Sequence, residues 1–381
     1  NYRSEQKTLS PRATKSRHGR RRRDPEIPDR VNIRLAFAHD ADSILHCSAY
    51  SRYIGKTQVF FMFENEHVTE RVLHVQYVSK IARTIARCLS LNEDLVEATG
   101  LALDLGHAPF GYAGDEFLSK LLKKNGIGVF AHNAQSVRAL DILEANGAGL
   151  NLTLQVLDGV LGHNCRMPSP KLRAGKNLSW ENLDAHCNQC LQQEDASRDI
   201  YPSTLEGCVV RLADVISYVG RDMEDAIASE LISRNELPKE VRRVLGEHNI
   251  DIINNLVMDV INSSHEKDHV EFSQSIFKAL QTLLEFNDER IYHAKPILEE
   301  KEKLEKAFVE LFEAYLDDLN TGDESLDLFR LHVNRLPEEY VRTTPPGRIV
   351  CDFIAGMTDD FLVNQYSKRF VPRSFGMRLK K

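Results

Sequence analysis

Apolar residues recurring at alternating three- and four-residue steps run through most of this chain, and that period constrains the fold more than any other feature. Val72, Val75, Val78, Ile81, Ala82 and Ile85 line one side of a helix that begins after Glu70. Asn92 is placed to cap the next helix, with Glu93 and Asp94 in its first turn and Leu95, Ala98, Leu101, Ala102 and Leu105 on its apolar face. The same period continues from Val31 nearly to the end, strand-like alternation is scarce, and no internal repeat is visible. The spacing therefore predicts an all-α protein, and 381 residues suffice for one large domain or two smaller ones.

Polar residues set into these apolar helices carry the chemical signal. His74 lies beside the stripe of the first helix, and Asp104 falls in the expected last turn of the second, which Gly106 should stop. A carboxylate near the negative end of a buried helix is unfavourable unless a cation compensates it, which favours a metal ion over a purely structural role. Three Gly and one Pro between Gly106 and Gly114 predict an ordered turn. His107 and Tyr112 lie in that turn, and Asp115 follows it. Another helix starts near His132, with Asn133 as its expected cap, and a further one ends in Gly162-His163. Asp214, Tyr218, Arg221 and Asp222 share a side of a later helix, where they either form salt bridges or face a metal. Arg52, Lys56 and Gln58 suit a polyphosphate or sugar edge, or else form a surface ridge.

The net charge of −7 excludes a generic polyanion binder, so any phosphate site must be a local cationic pocket. No apolar run approaches the roughly 20 residues of a membrane helix, and no signal peptide is apparent. Seven Cys point to free thiols in a reducing cytoplasm. Residues 1–30, with Arg20 to Arg23, read as a flexible basic arm that is either solvated or reaches a neighbouring subunit or a nucleotide phosphate. Residues 31–366 form the expected helical domain, with 165–201 as a polar surface insertion and 285–381 as a C-terminal helical part. Within the insertion, Cys165, His186, Cys187 and Cys190 are either free side chains or a zinc site lacking a second Cys-x-x-Cys half. Val350 to Tyr366 reads as the final helix.

Six motifs in order resemble those of the HD-domain deoxynucleoside triphosphate triphosphohydrolases, the dGTPase-like enzymes. They are Lys56-Thr-Gln-Val-Phe60, Arg71-x-x-His74, Asp104-Leu-Gly-His-x-Pro-Phe-Gly111, Phe130-x-His-Asn-x-Gln-Ser136, Ala213-Asp214-x-Ile-Ser-Tyr218 with Asp222 and Glu224-Asp225, and Asp352-Phe-Ile-Ala-Gly-Met-Thr-Asp359. The resemblance implies an all-α HD-domain core with a C-terminal helical extension, and metal-dependent hydrolysis of a dNTP to deoxynucleoside and inorganic triphosphate. It implies His74, Asp104 and Asp214 as metal ligands, and His107, His132, Asp115 and Tyr112 as catalytic residues. It also implies contacts to substrate from Arg71, Tyr218 and Asp222, joined by Arg52, Lys56 and Gln58. A homo-oligomer, tetramer or hexamer, with a second dNTP as activator is implied too; nucleic acid is a weaker partner, through the Arg20 cluster.

Two positions depart from the family. Leu103 stands where its His-Asp pair supplies the fourth metal ligand, and Tyr112 stands where it has a His. Three ligands, two of them carboxylates, favour Mn²⁺ or Mg²⁺ over nitrogen-preferring ions. A phenol with an ordinary pKa near 10 is a poorer proton shuttle than imidazole but still donates a hydrogen bond. Two readings follow from these departures, a dNTP hydrolase and a degenerate HD domain that binds dNTP as a sensor or regulatory subunit. A nucleoside monophosphate hydrolase is a third.

Overall fold

The computed structural model describes residues 2–25, 33–58, 70–164 and 169–372. Val59 and Phe60 of the first motif, and Cys165 of the expected zinc set, lie outside these residues. The fold is all-α, with one small antiparallel sheet in which Leu172 of Lys171–Arg173 faces Val270 of His269–Glu271.

The helical period translates directly into packing. Val75, Val78, Ile81, Ala82 and Ile85 of the Arg71–Cys88 helix are all buried, but they serve two hydrophobic cores rather than one. Val75 joins a smaller core with Phe37, Leu95, Leu101 and Leu157, while Val78 to Ile85 join a larger one with the Leu205–Ala228 helix. The Glu93–Ala102 helix starts as the sequence predicts, the Asn92 side chain accepting from the N–H groups of Asp94 and Leu95. It ends at Ala102, two residues before Asp104, because Leu103 and Leu105 enter different cores and the chain must turn between them. Ser136 Oγ donates to the Leu103 carbonyl at 2.7 Å, satisfying a backbone acceptor left over at that helix end.

Residues 2–25 are bound to the domain rather than loose, which corrects the flexible-arm expectation for that part of 1–30. Arg21 forms a 2.6 Å ion pair with Asp40, both side chains being buried. Arg22 lies over the Trp180 ring and pairs with Asp141 and Asp184. Glu206, fully buried, accepts from the backbone of Thr14 and Asn92. The basic run thus meets acidic groups of this same chain, and charge counting along a sequence does not reveal such long-range partners.

The stretch 169–201 is more ordered than a polar insertion suggests. Its Trp180–Gln192 helix turns Leu183 and Cys190 into the smaller core and leaves its polar side outward. The expected final helix is two, Pro346–Ala355 and Asp359–Phe370, separated at Gly356 to Thr358. Thr358 caps the second, accepting from the Phe361 N–H. The Lys295–Thr321 helix sends Phe308, Leu311, Phe312 and Tyr315 into the larger core.

Candidate active site

Asp104 stands where the two cores meet, and five side chains gather on its carboxylate and its neighbours. Arg71 Nη1 donates to Asp104 Oδ2 at 2.5 Å. His74 Nε2 is 3.5 Å from the same oxygen and 3.1 Å from Asp214 Oδ1. On the other oxygen, Asp104 Oδ1, His107 Nε2 lies at 3.6 Å and His163 Nε2 at 3.7 Å. Arg71, His74, Asp104, His107, His132, His163 and Asp214 are all buried. The cation that compensates Asp104 is thus supplied by the protein itself. Burial alone would raise the Asp104 pKa, but Arg71 and the surrounding histidines hold it well below the carboxylate range.

Local geometry places these groups. Gly106 is required, since a Cβ there would come within 2.2 Å of the His132 carbonyl oxygen and the Ser136 nitrogen. The turn therefore lies directly against the His132–Arg138 helix, and His107 stacks on His132 with ring centroids 3.8 Å apart. The cap of that helix is Ala131 rather than Asn133, whose side chain instead donates to the Leu161 carbonyl. Asp115 Oδ2 approaches His107 Nδ1 at 2.7 Å and His132 Nδ1 at 3.2 Å. The closer approach is off the line of a hydrogen bond, so both Oδ2 of Asp115 and Nδ1 of His107 lack a hydrogen-bond partner among the described residues. Burial pushes His107 down to about 3, so it is neutral near pH 7. Burial would raise Asp115, yet His107 and His132 hold it below its ordinary value.

The other predicted residues divide by position. Tyr112 is half exposed, its ring edge-on to His107 at 5.1 Å. Lys56 is buried under the turn and donates to the carbonyls of His107 and Ala355 at 2.5 and 2.8 Å. Burial pushes its ammonium down to about 7, and its present role is to hold the turn. Gln58 is buried beside Arg71, with its backbone carbonyl 3.4 Å from Nη2. Arg52 is partly exposed and faces Glu144 at 3.6 Å. Asp222 is buried and accepts from the Tyr292 hydroxyl at 2.7 Å, while burial and then Asp225 raise it to about 7. Tyr218 packs against the larger core one turn away.

Sequence reasoning missed His163. Its signal was available: a histidine directly after a mostly apolar helix, much as Asp104 follows one. The 157–164 segment shows it, with Leu157, Val160 and Leu161 buried ahead of the histidine.

The chain is 38% identical over 371 residues to a deoxyguanosinetriphosphate triphosphohydrolase-like protein of Caldanaerobacter subterraneus subsp. tengcongensis, covering 97% of this chain and 94% of that one. It belongs to the dGTP triphosphohydrolase-like family. Proteins of the same name from Desulfatibacillum aliphaticivorans and Clostridium perfringens are 36% and 35% identical, covering 96% and 91% of this chain and 95% and 90% of theirs. Residues 270–368 match the phosphohydrolase-associated domain. Within this triphosphohydrolase-like enzyme, three of the metal ligands implied by the family are adjacent. Ser217 Oγ donates to the Asp214 carbonyl at 2.7 Å and lies 3.2 Å from His74 Nδ1, while Nε2 of the same ring faces both carboxylates. That donor set, one nitrogen and two oxygens, fits a hard divalent ion such as Mn²⁺ or Mg²⁺. Leu103 supplies nothing to it, being fully buried in the larger core. No helix among the described residues is long and apolar enough to cross a membrane.

Proposed function

We propose that this chain hydrolyses a dNTP to deoxynucleoside and inorganic triphosphate with a divalent ion held by His74, Asp104 and Asp214. The reading is carried by one observation, the buried carboxylate of Asp104 flanked by Arg71, His74, His107 and His163. The names of the relatives support the substrate class. When bound, the ion lowers the pKa of water and neutralises phosphate oxygens. The protein's own groups do the rest. Arg71, already oriented by Asp104, presents its planar fork to a phosphate. His107 is held neutral and, with His132 and Asp115, accepts the proton that the attacking water gives up and relays it to the leaving oxygen of the deoxynucleoside. Tyr112, exposed beside His107, donates a hydrogen bond to the substrate. Asp222 with Tyr292 offers a paired donor and acceptor to the sugar.

The second reading, a dNTP-binding sensor, is favoured by a specific feature: Arg71 occupies Asp104 Oδ2, and Leu103 removes the competing nitrogen. A cytoplasmic homo-oligomer that takes a second dNTP as activator belongs to either reading and rests on the family resemblance. The test is turnover of the four dNTPs with Mn²⁺ and with Mg²⁺, with deoxynucleoside and triphosphate separated. Release that disappears in Asp214→Ala supports the hydrolase. dNTP binding without release, and release gained in Leu103→His, would establish the sensor.

A further inference from the structure

The backbone on either side of Asp104 is held by one hydroxyl. Ser136 lies one turn after His132 on the His132–Arg138 helix and is fully buried. Its Oγ accepts from the Gly106 N–H at 2.8 Å and donates to the Leu103 carbonyl at 2.7 Å, with the His132 carbonyl a second acceptor at 2.9 Å. A hydroxyl carries one hydrogen and two lone pairs, so this single side chain meets both groups of the turn at once. Leu103 and Gly106 bracket Asp104, and Gly106 directly precedes His107. The hydroxyl thus joins the turn that carries Asp104 and His107 to the helix that carries His132. Among the described residues, it makes both hydrogen bonds between the stretch from Leu103 to Gly106 and that helix.

We infer that Ser136 is a positioning residue, which sets the distance between His132 and the turn bearing Asp104 and His107. Lys56, Asp115 and Asp359 grip the turn from His107 onward, through the His107 carbonyl and the N–H groups of Ala108 and Phe110. Ser136 grips it before His107, on the Asp104 side. The spacing it sets is a close one. His107 and His132 stack with centroids 3.8 Å and planes 14° apart, and Asp115 approaches both rings. Few side chains fit at position 136. A Cβ on Gly106 would lie 2.2 Å from Ser136 N, so the two backbones touch and leave room only for a small group. Alanine fits but strands a buried N–H and a buried carbonyl, and the turn then moves to find them other partners. A shift of about 1 Å at reacting groups costs about 100-fold in rate. That kinetic consequence rests on the proposed hydrolysis, whereas the stacking of the two rings does not.

The test compares Ser136→Ala with Ser264→Ala in the full chain. Ser264 is a matched control, a buried serine beside the small sheet whose Oγ accepts from the Glu271 N–H at 3.0 Å. The reading specific to positioning is the imidazole proton spectrum of protein carrying isotope-labelled histidine. His107 and His132 are assigned by the signals lost in His107→Gln and His132→Gln. Stacking places the protons of each ring in the shielding zone of the other, upfield of an exposed histidine. Both serine variants should melt at a lower temperature, but Ser136→Ala alone should move these signals downfield. In dNTP turnover it should lower kcat about tenfold or more with KM within about threefold, while Ser264→Ala keeps the parent kcat. Unmoved imidazole signals in Ser136→Ala overturn the inference, as does the same movement in Ser264→Ala or an unchanged kcat in Ser136→Ala. If Ser136→Ala does not fold, Ser136→Cys, which nearly keeps the volume and weakens both hydrogen bonds, is read in the same way. A parent without turnover refutes the hydrolytic reading instead, and the imidazole signals then decide on Ser136 alone.

Discussion

Replacing Arg71 by Met would remove the buried cation of Asp104 while keeping most of the side-chain volume. Arg71 is fully buried, its guanidinium 2.5 Å from Asp104 Oδ2. Breaking such a pair from one side strands a buried carboxylate and costs about 3–5 kcal/mol. Unfolding entropy of about 2.1 cal/mol/K per residue gives about 0.8 kcal/mol/K for 381 residues, so the melting temperature should fall by about 4–6 °C near pH 7. The loss also has a pH signature. In the parent, the depressed Asp104 pKa contributes stability above the unfolded carboxyl value, and that contribution is lost as pH falls. In the variant the carboxyl is raised by burial, so stability declines as pH rises past about 4. The difference between the two proteins should therefore be largest near pH 7–8 and shrink toward pH 4. Mn²⁺ should stabilise the variant more than the parent, because Oδ2 is released. Thermal melts at several pH values, with and without Mn²⁺, provide the assay. A difference independent of pH, or a shift below about 1 °C, would refute the claim that Arg71 is the counter-ion of Asp104.

Two further predictions test the surroundings. Asp222, raised to about 7 in the fold, holds its proton there at pH values where the unfolded chain has released it, so it makes stability fall as pH rises from about 4 to 7. Asp222→Asn keeps an acceptor for Tyr292 and should flatten that decline, by at most about 4 kcal/mol, in urea titrations at pH 5 and 8. Ser217→Ala removes the hydroxyl beside His74 Nδ1 and should weaken Mn²⁺ binding about tenfold in calorimetry, with little change in melting temperature.

The fold was legible where local rules dominate. The stripe from Val75 to Ile85 and the Asn92 cap are read from a few consecutive residues, and both appear as expected. The Asp104 environment was half legible. A carboxylate ending an apolar helix announces that something must neutralise it, but the partner, Arg71, is 33 positions away. Nothing in the spacing distinguishes a resident guanidinium from a metal ion. Lys56 misled for the opposite reason: its place beside Arg52 suggests phosphate, whereas two backbone carbonyls from distant parts of the chain claim its ammonium. His163 was overlooked because the group that gives it a role, Asp104, belongs to a distant segment of the chain.

Asp359 gives the fold one more consequence. Its carboxylate accepts from the Phe110 N–H at 2.9 Å across 249 positions, and from Thr57 as well. Phe110 itself sits in the left-handed region, with φ 62°, one residue before the helix bearing Tyr112 and Asp115. The turn beneath the active site is therefore clamped by the C-terminal end of the matched phosphohydrolase-associated domain. A premature stop or frameshift late in the coding sequence would spare every proposed metal ligand and still unmake the site. The two halves must accordingly be inherited together, and shuffling them between relatives succeeds only when the clamp is carried along.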